Sequence, residues 1–136
     1  AADPEDDERL VARLDGSTLT ISTADQRLDV VCRFDDLTVP APDDDQTSTA
    51  LVVARAWNQD FNALAVRVTG AGLGTGADAP LGVEGYACWL ERPGMTDRQL
   101  TALLEAVLTE APKLSAFWRE NVADAEDERE FLRRQG

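Results

Sequence analysis

The stretch Met95-Thr-Asp-Arg-Gln-Leu-Thr-Ala-Leu-Leu-Glu-Ala-Val-Leu-Thr-Glu-Ala-Pro-Lys-Leu-Ser-Ala-Phe-Trp118 decides the fold. Thr96 and Gln99 have the spacing of a capping box, in which each side chain accepts from the other's backbone N–H. Met95 and Leu100 stand where a hydrophobic staple would close that box. Leu100, Leu103, Leu104, Val107, Leu108, Ala111 and Leu114 then recur at helical spacing, which predicts an amphipathic helix over 96–118. Pro112 is expected to kink or split it near Ala111, because proline donates no hydrogen bond and crowds the preceding turn. Leu114, Phe117 and Trp118 extend the apolar stripe past the proline. Asn121 to Ala123 reads as a break, and Ala125 to Arg134 as a short charged helix of its own, with Glu130 and Arg134 spaced for an i,i+4 pair.

Upstream of this helix the pattern has period 2. Leu10, Ala12 and Leu14 alternate with Val11 and Arg13, and Asp15-Gly16 is a hairpin signal. Ser17 to Ser22 follows with Leu19 and Ile21 on one face. After a turn at Ala24 to Gln26, Leu28, Val30, Cys32 and Phe34 alternate with Asp29, Val31, Arg33 and Asp35. Three such strands with short turns predict an antiparallel meander. Ala63 to Thr69 and Val83 to Leu90 read as two more strands, with Tyr86 and Trp89 on opposite faces. Between them, Gly70, Gly72, Gly74 and Gly76 lack the following helix or Lys that phosphate binding requires, so they read as a hairpin loop.

A second helix is expected at 47–60, capped by Thr47 or Ser48, with Ala50, Ala54, Trp57 and Phe61 in a stripe. The run Asp43-Asp44-Asp45 sits just before it, where carboxylates oppose the positive end of the helix dipole. The run lacks the spaced ligands, Gly and terminal Glu of a calcium loop. The expectation is an α+β domain, β-β-β-α-β-β-α, with an antiparallel five-stranded sheet and the helices packed on it. Residues 1–8 are an acidic tail, 9–120 a single domain, and 121–136 a charged, helical C-terminal extension.

Composition limits what this domain does. At 136 residues it is one domain with a sizeable core. Its net charge of −13 repels nucleic-acid phosphates and anionic membrane surfaces, and attracts partners with basic surfaces. Twelve of the thirteen basic residues are Arg, a bias of GC-rich bacterial genomes. No run of 18 apolar residues exists, so no transmembrane helix is expected, and no signal peptide is visible. The start at Ala1 without Met leaves a processed N-terminus open. Cys32 and Cys88 both fall in strands, where free Cys is mostly a small buried hydrophobe. A disulfide would need those strands to be neighbours with suitable geometry.

Chemistry has few candidates. There is no His to act as general base, and the nucleophile-elbow pattern Gly-x-Ser-x-Gly is absent. Two cysteines without histidine do not make a zinc site. No catalytic, cofactor-binding or metal residue is therefore assigned, and no cofactor is expected. The aromatic set is more informative. Trp57, Trp89 and Trp118 sit on three elements, with Phe61 and Phe117 close by. One shared core under the helices explains most of them. Trp is also enriched at interfaces. Ala54, Trp57, Phe61, Trp89, Phe117 and Trp118 are thus the candidates for a protein-binding or dimer surface.

The meander Arg9-Leu-Val-Ala-Arg-Leu-Asp-Gly16, Ser17-Thr-Leu-Thr-Ile-Ser22 and Arg27-Leu-Asp-Val-Val-Cys-Arg-Phe34, the Ala56-Trp57-Asn58 at the end of the middle helix, and Met95-Thr-Asp-Arg-Gln-Leu100 together resemble the YbjN family. The element order is similar to the type III secretion chaperone-like fold. The likeness covers about residues 9 to 120. It departs in the acidic residues 1–8, too short for the helix that usually opens this fold, and in the Gly-rich loop and charged C-terminal extension. The resemblance implies a non-enzymatic, cytoplasmic protein, acidic and homodimeric, that binds a polypeptide partner as a chaperone or adaptor. The alternative is a stress-response module that senses a small ligand beneath the last helix.

Overall fold

Period-2 patterning does become strand pairing. A computed structural model describes residues 8–24, 27–60, 62–70, 79–90 and 96–135. The elements are β1 (Glu8–Leu14), β2 (Ser17–Ala24), β3 (Arg27–Arg33), a 3-10 turn (Asp35–Leu37), α1 (Asp44–Asn58), β4 (Ala65–Thr69), β5 (Gly82–Leu90) and α2 (Asp97–Gln135). The five strands form one antiparallel sheet in the order β1-β2-β3-β5-β4. The class is α+β, as the sequence predicts. Glu8, placed in the acidic tail by the sequence reading, opens β1 instead.

Register assigns each strand an inner and an outer face. Leu19 lies opposite Cys32, and Cys32 opposite Gly85. With Val30, Phe34, Val66, Val83 and Ala87 they make an inner face that both helices cover. From α1 come Ala50, Val53, Ala54 and Trp57, and from α2 come Val107, Ala111, Leu114 and Trp118. Two glycines matter for this arrangement. Gly16 turns the first hairpin with φ +77°, and a Cβ there would meet the Asp36 carboxylate. Gly85 lies on the inner face, where a Cβ would stand 3.2 Å from Leu114 Cδ2 and 3.3 Å from Leu64 Cδ1. Its bare backbone lets α2 settle onto the middle of the sheet.

Several expectations are corrected. α1 starts at Asp44, three residues before the expected start, and ends at Asn58. Its cap is Asp43, not Thr47 or Ser48. The Asp43 carboxylate accepts from the Gln46 N–H at 2.7 Å, and the Gln46 side-chain Oε1 accepts from the Asp43 N–H at 2.9 Å. The aspartate run is therefore the cap and first turn of the helix itself. Val39 also bridges to Leu81 within the expected loop.

α2 does not split at Pro112, break at Asn121 to Ala123, or give way to a separate helix. Proline takes the donor away from the Leu108 carbonyl, but both residues are exposed and water can replace it. Asn121 donates to the Phe117 carbonyl at 2.8 Å and so stays inside the helix. Ala111, Leu114, Trp118 and Val122 dock on one core, and that packing holds the helix through the proline. The capping box at its start is present, with Thr96 and Gln99 bonded at 3.0 and 3.1 Å. The staple residue Met95 and the Gly-rich residues 71–78 lie outside the described residues.

The last correction is Cys88. It is exposed on the outer face, while Cys32 is fully buried on the inner one. The two strands are neighbours, but Cys88 pairs with Asp29 and Cys32 with Gly85, so the thiols lie on opposite sides of the sheet. Burial pushes the Cys32 thiol above its ordinary pKa. A thiol-alkylating reagent is expected to label one cysteine in the native protein and two in denaturant.

The packing also ranks the α2 stripe. Leu114 is fully buried, whereas Leu104 is only half-buried and lies off the core. Leu114→Ala is expected to cost about 3–5 kcal/mol, because it leaves a cavity against Gly85 and Leu64. Leu104→Ala should cost about 1 kcal/mol, in keeping with its partial exposure. Urea unfolding of the two variants side by side measures the difference.

Candidate functional site

α1 is tied to the sheet edge at its C-terminal end. The Trp57 indole Nε1 donates to the Leu64 carbonyl at 2.9 Å. Asn58 donates to the Val66 carbonyl and accepts from the Val66 N–H, both at 2.8 Å. The side-chain amide thus pairs with Val66 as a neighbouring strand would, on the side of β4 that faces away from β5. Glu110 of α2 completes the knot by accepting from the Ala63 and Leu64 N–H groups at 2.8 and 3.1 Å. The Trp-Asn pair of the sequence is therefore a structural device. It closes one sheet edge and positions both helices.

With α2 fixed there, its far half runs beyond the sheet. A helix of 39 residues is about 58 Å long, roughly twice the reach of the nine-residue β5. Two arginines hold the overhang down. Arg119 pairs with Asp36 in the 3-10 turn. Arg129 donates to the Thr49 hydroxyl and the Asp45 carbonyl at the start of α1.

These two arginines frame the depressions under α2. Between them lies a cavity of about 320 Å³. Val39, Ala50, Leu81, Trp118 and Val122 give it apolar walls, and Gln46 and Glu126 lie at its polar rim. On the other side of Arg129 is a groove of about 430 Å³ between α1 and α2. Val52, Ala56, Ala125 and Leu132 line it, with Asp45 and Glu128 at its border. Val52 is 67% exposed and Leu132 59% exposed, so this apolar strip is open to solvent. Toward the start of α2, a cleft of about 540 Å³ separates Leu108 and Pro112 from Leu14 and Phe34.

The sequence-derived candidates fall mostly inside. Ala54, Trp57 and Trp118 are core residues. Trp57 meets Phe117 edge-on, with ring centroids 5.3 Å apart. Phe117 and Trp89 are half-buried, and Phe61 lies outside the described residues. The exposed large apolar side chains are instead Leu51, Val52, Leu108, Phe131 and Leu132 on the helices, with Leu10, Val11 and Tyr86 in the sheet. Their signal is in the sequence. Leu51 and Val52 sit off the stripe of Ala50, Val53, Ala54 and Trp57, on a helix face that ought to be polar. Among the described residues, no group of three or more His, Cys, Asp or Glu side chains is placed to hold a metal. Among them, too, no helix is long and apolar enough to cross a membrane.

Comparison with known proteins finds no matching family model, no matching curated protein and no matching solved structure. The residues themselves carry any functional reading.

Asn58→Asp tests the knot. It keeps an acceptor for the Val66 N–H but sets a carboxylate against the Val66 carbonyl. A loss of about 1–3 kcal/mol in urea unfolding is expected, with increased self-association as the β4 edge opens.

Proposed function

We propose that this chain is a non-enzymatic protein-binding module, chaperone-like or adaptor in role, that takes a bacterial polypeptide partner along the α1–α2 groove. The observation that carries this reading is the pair Val52 and Leu132. They come from helices far apart in sequence, face one groove, and remain more than half exposed. A soluble domain gains nothing from leaving such side chains open, and contiguous apolar surface with a polar rim is the mark of a binding site. The alanines beneath allow close approach, which suits an amphipathic helix laid into the groove. The acidic border and the charge of −13 favour a partner with a basic rim. The resemblance to YbjN-like and secretion-chaperone proteins points the same way, toward a cytoplasmic protein that pairs with itself or with a client.

The second reading is ligand sensing. The cavity of about 320 Å³ beneath α2 supports it, because its size and mixed lining suit a small molecule. The two readings separate experimentally. Val52→Asp combined with Leu132→Asp is expected to leave the melting temperature unchanged. It should abolish either self-association in sedimentation or retention of one specific protein in affinity capture from the host. A wild-type monomer whose capture profile matches the double variant removes the groove reading. A metabolite retained in native mass spectra, and lost on Ala50→Trp, would put the cavity in its place.

A further inference from the structure

The acidic character of this protein is not spread evenly. The outer face of the sheet, turned away from both helices, carries Arg9, Arg13, Arg27, Arg33 and Arg67, all exposed. Among the described side chains of its strands, the carboxylates are Asp29 and Glu84. Asp35, just past β3, is held by the Thr18 hydroxyl at 2.8 Å. Five arginines against three carboxylates leave this face at +2, so the rest of the chain carries −15. No described residue covers it.

The register gives this charge a pattern. Arg13, Thr18, Arg33, Glu84 and Arg67 lie directly opposite one another across all five strands. Glu84 is 7% exposed and spends its two oxygens on Arg33 and Arg67, at 3.2 and 2.8 Å. The two guanidinium groups are pinned by it, yet their side chains stay 64% and 49% exposed. Cations thus stand at the first, third and fifth strands. With strands about 4.8 Å apart, their spacing is about 10 Å. The parallel row, Val11, Thr20, Val31, Tyr86 and Ala65, is uncharged. The Arg67 guanidinium also lies over the Tyr86 ring, with its carbon 4.9 Å from the ring centroid.

We propose that this face docks an acidic, proline-containing polypeptide segment in the polyproline II conformation, laid across the strands. That helix repeats every three residues with a rise of about 3.1 Å per residue, so every third side chain returns to one side after about 9.3 Å. Carboxylates at every third position then fall in step with Arg13, Arg33 and Arg67. The intervening prolines rest on the uncharged row and on Tyr86, as proline-rich ligands rest on aromatic grooves. Charge complementarity selects this occupant. A second copy's outer face, itself positive, is repelled. A nucleic acid must approach a chain carrying −15 elsewhere and finds one aromatic platform. The site is independent of the α1–α2 groove, which lies on the opposite side of the sheet.

The test is binding of a labelled (Glu-Pro-Pro)4 peptide to the full chain, followed by fluorescence anisotropy in low and moderate salt. Saturable binding that weakens with salt is expected, with no binding of (Gln-Pro-Pro)4. Arg13→Glu should weaken binding at least tenfold at low salt, and Arg13→Gln should weaken it less, both with unchanged melting. Arg9→Glu makes the same charge change outside the row and should have a smaller effect than Arg13→Glu. Equal binding of the Gln peptide, or equal losses from Arg9→Glu and Arg13→Glu, overturns the proposal. So does tighter binding of a single-stranded oligonucleotide that Arg13→Glu abolishes. Self-association of the wild type that Arg13→Glu abolishes would make a second copy the occupant and would overturn it as well.

Discussion

The pairing of Asn58 with Val66 is the contact on which the rest of the architecture depends. A five-residue strand at the edge of a sheet has half of its backbone groups open, and a helix end has unpaired carbonyls. Here one side chain at the end of α1 satisfies both groups of Val66, and Trp57 next to it satisfies the Leu64 carbonyl. The same segment offers its Ala63 and Leu64 N–H groups to Glu110, which sets α2 along the sheet. Three elements are thus fixed by a few hydrogen bonds, of which the one from Trp57 is buried and those of Asn58 and Glu110 are partly buried, and shielding from water raises the worth of each. Gly85 then allows the centre of α2 to close on the sheet without a gap.

This arrangement leaves the opposite half of α2 under a different regime. Beyond Trp118 only Val122 of this half packs against the core, and Arg119 and Arg129 tie the helix to the 3-10 turn and to α1. Contacts of this kind, partly exposed, are individually weak. The overhang is therefore held less firmly than the core half, and the cavity and groove lie along it. A partner or ligand entering there would compete with modest interactions rather than with close-packed side chains. That is where a binding surface can form without unfolding the domain.

Charge adds a second asymmetry. The sequence total of −13 suggests a uniformly acidic body that seeks basic partners. The fold instead sorts its charges, with carboxylates over the helices and arginines over the outer sheet face. Glu84 illustrates the sorting. It is buried between Arg33 and Arg67, so this one carboxylate holds two cations in place while cancelling the charge of only one. The molecule presents two chemically opposite sides, and a single net charge conceals both.

What the sequence determined by itself is the set of elements and their faces. Alternation in Leu28 to Phe34 and the helical stripe from Leu100 to Leu114 follow from the periods of strand and helix, which are local properties of the backbone. The capping box at Thr96 and Gln99 was legible for the same reason. Other features were decided only in three dimensions. Pro112 lies within an unbroken helix because tertiary packing on both sides outweighs one lost hydrogen bond. The aspartate run caps α1 because the chain enters the helix there, after Val39 bridges to Leu81. The tryptophans were legible as mostly core, but which of them would be covered was not, since a stripe does not reveal how wide a face will be buried. The five arginines of the outer face come from three strands, β1, β3 and β4, spread over residues 9–67. They become neighbours only through the strand order β1-β2-β3-β5-β4, because the side-chain row that crosses a sheet is set by hydrogen-bonded register and not by distance along the chain.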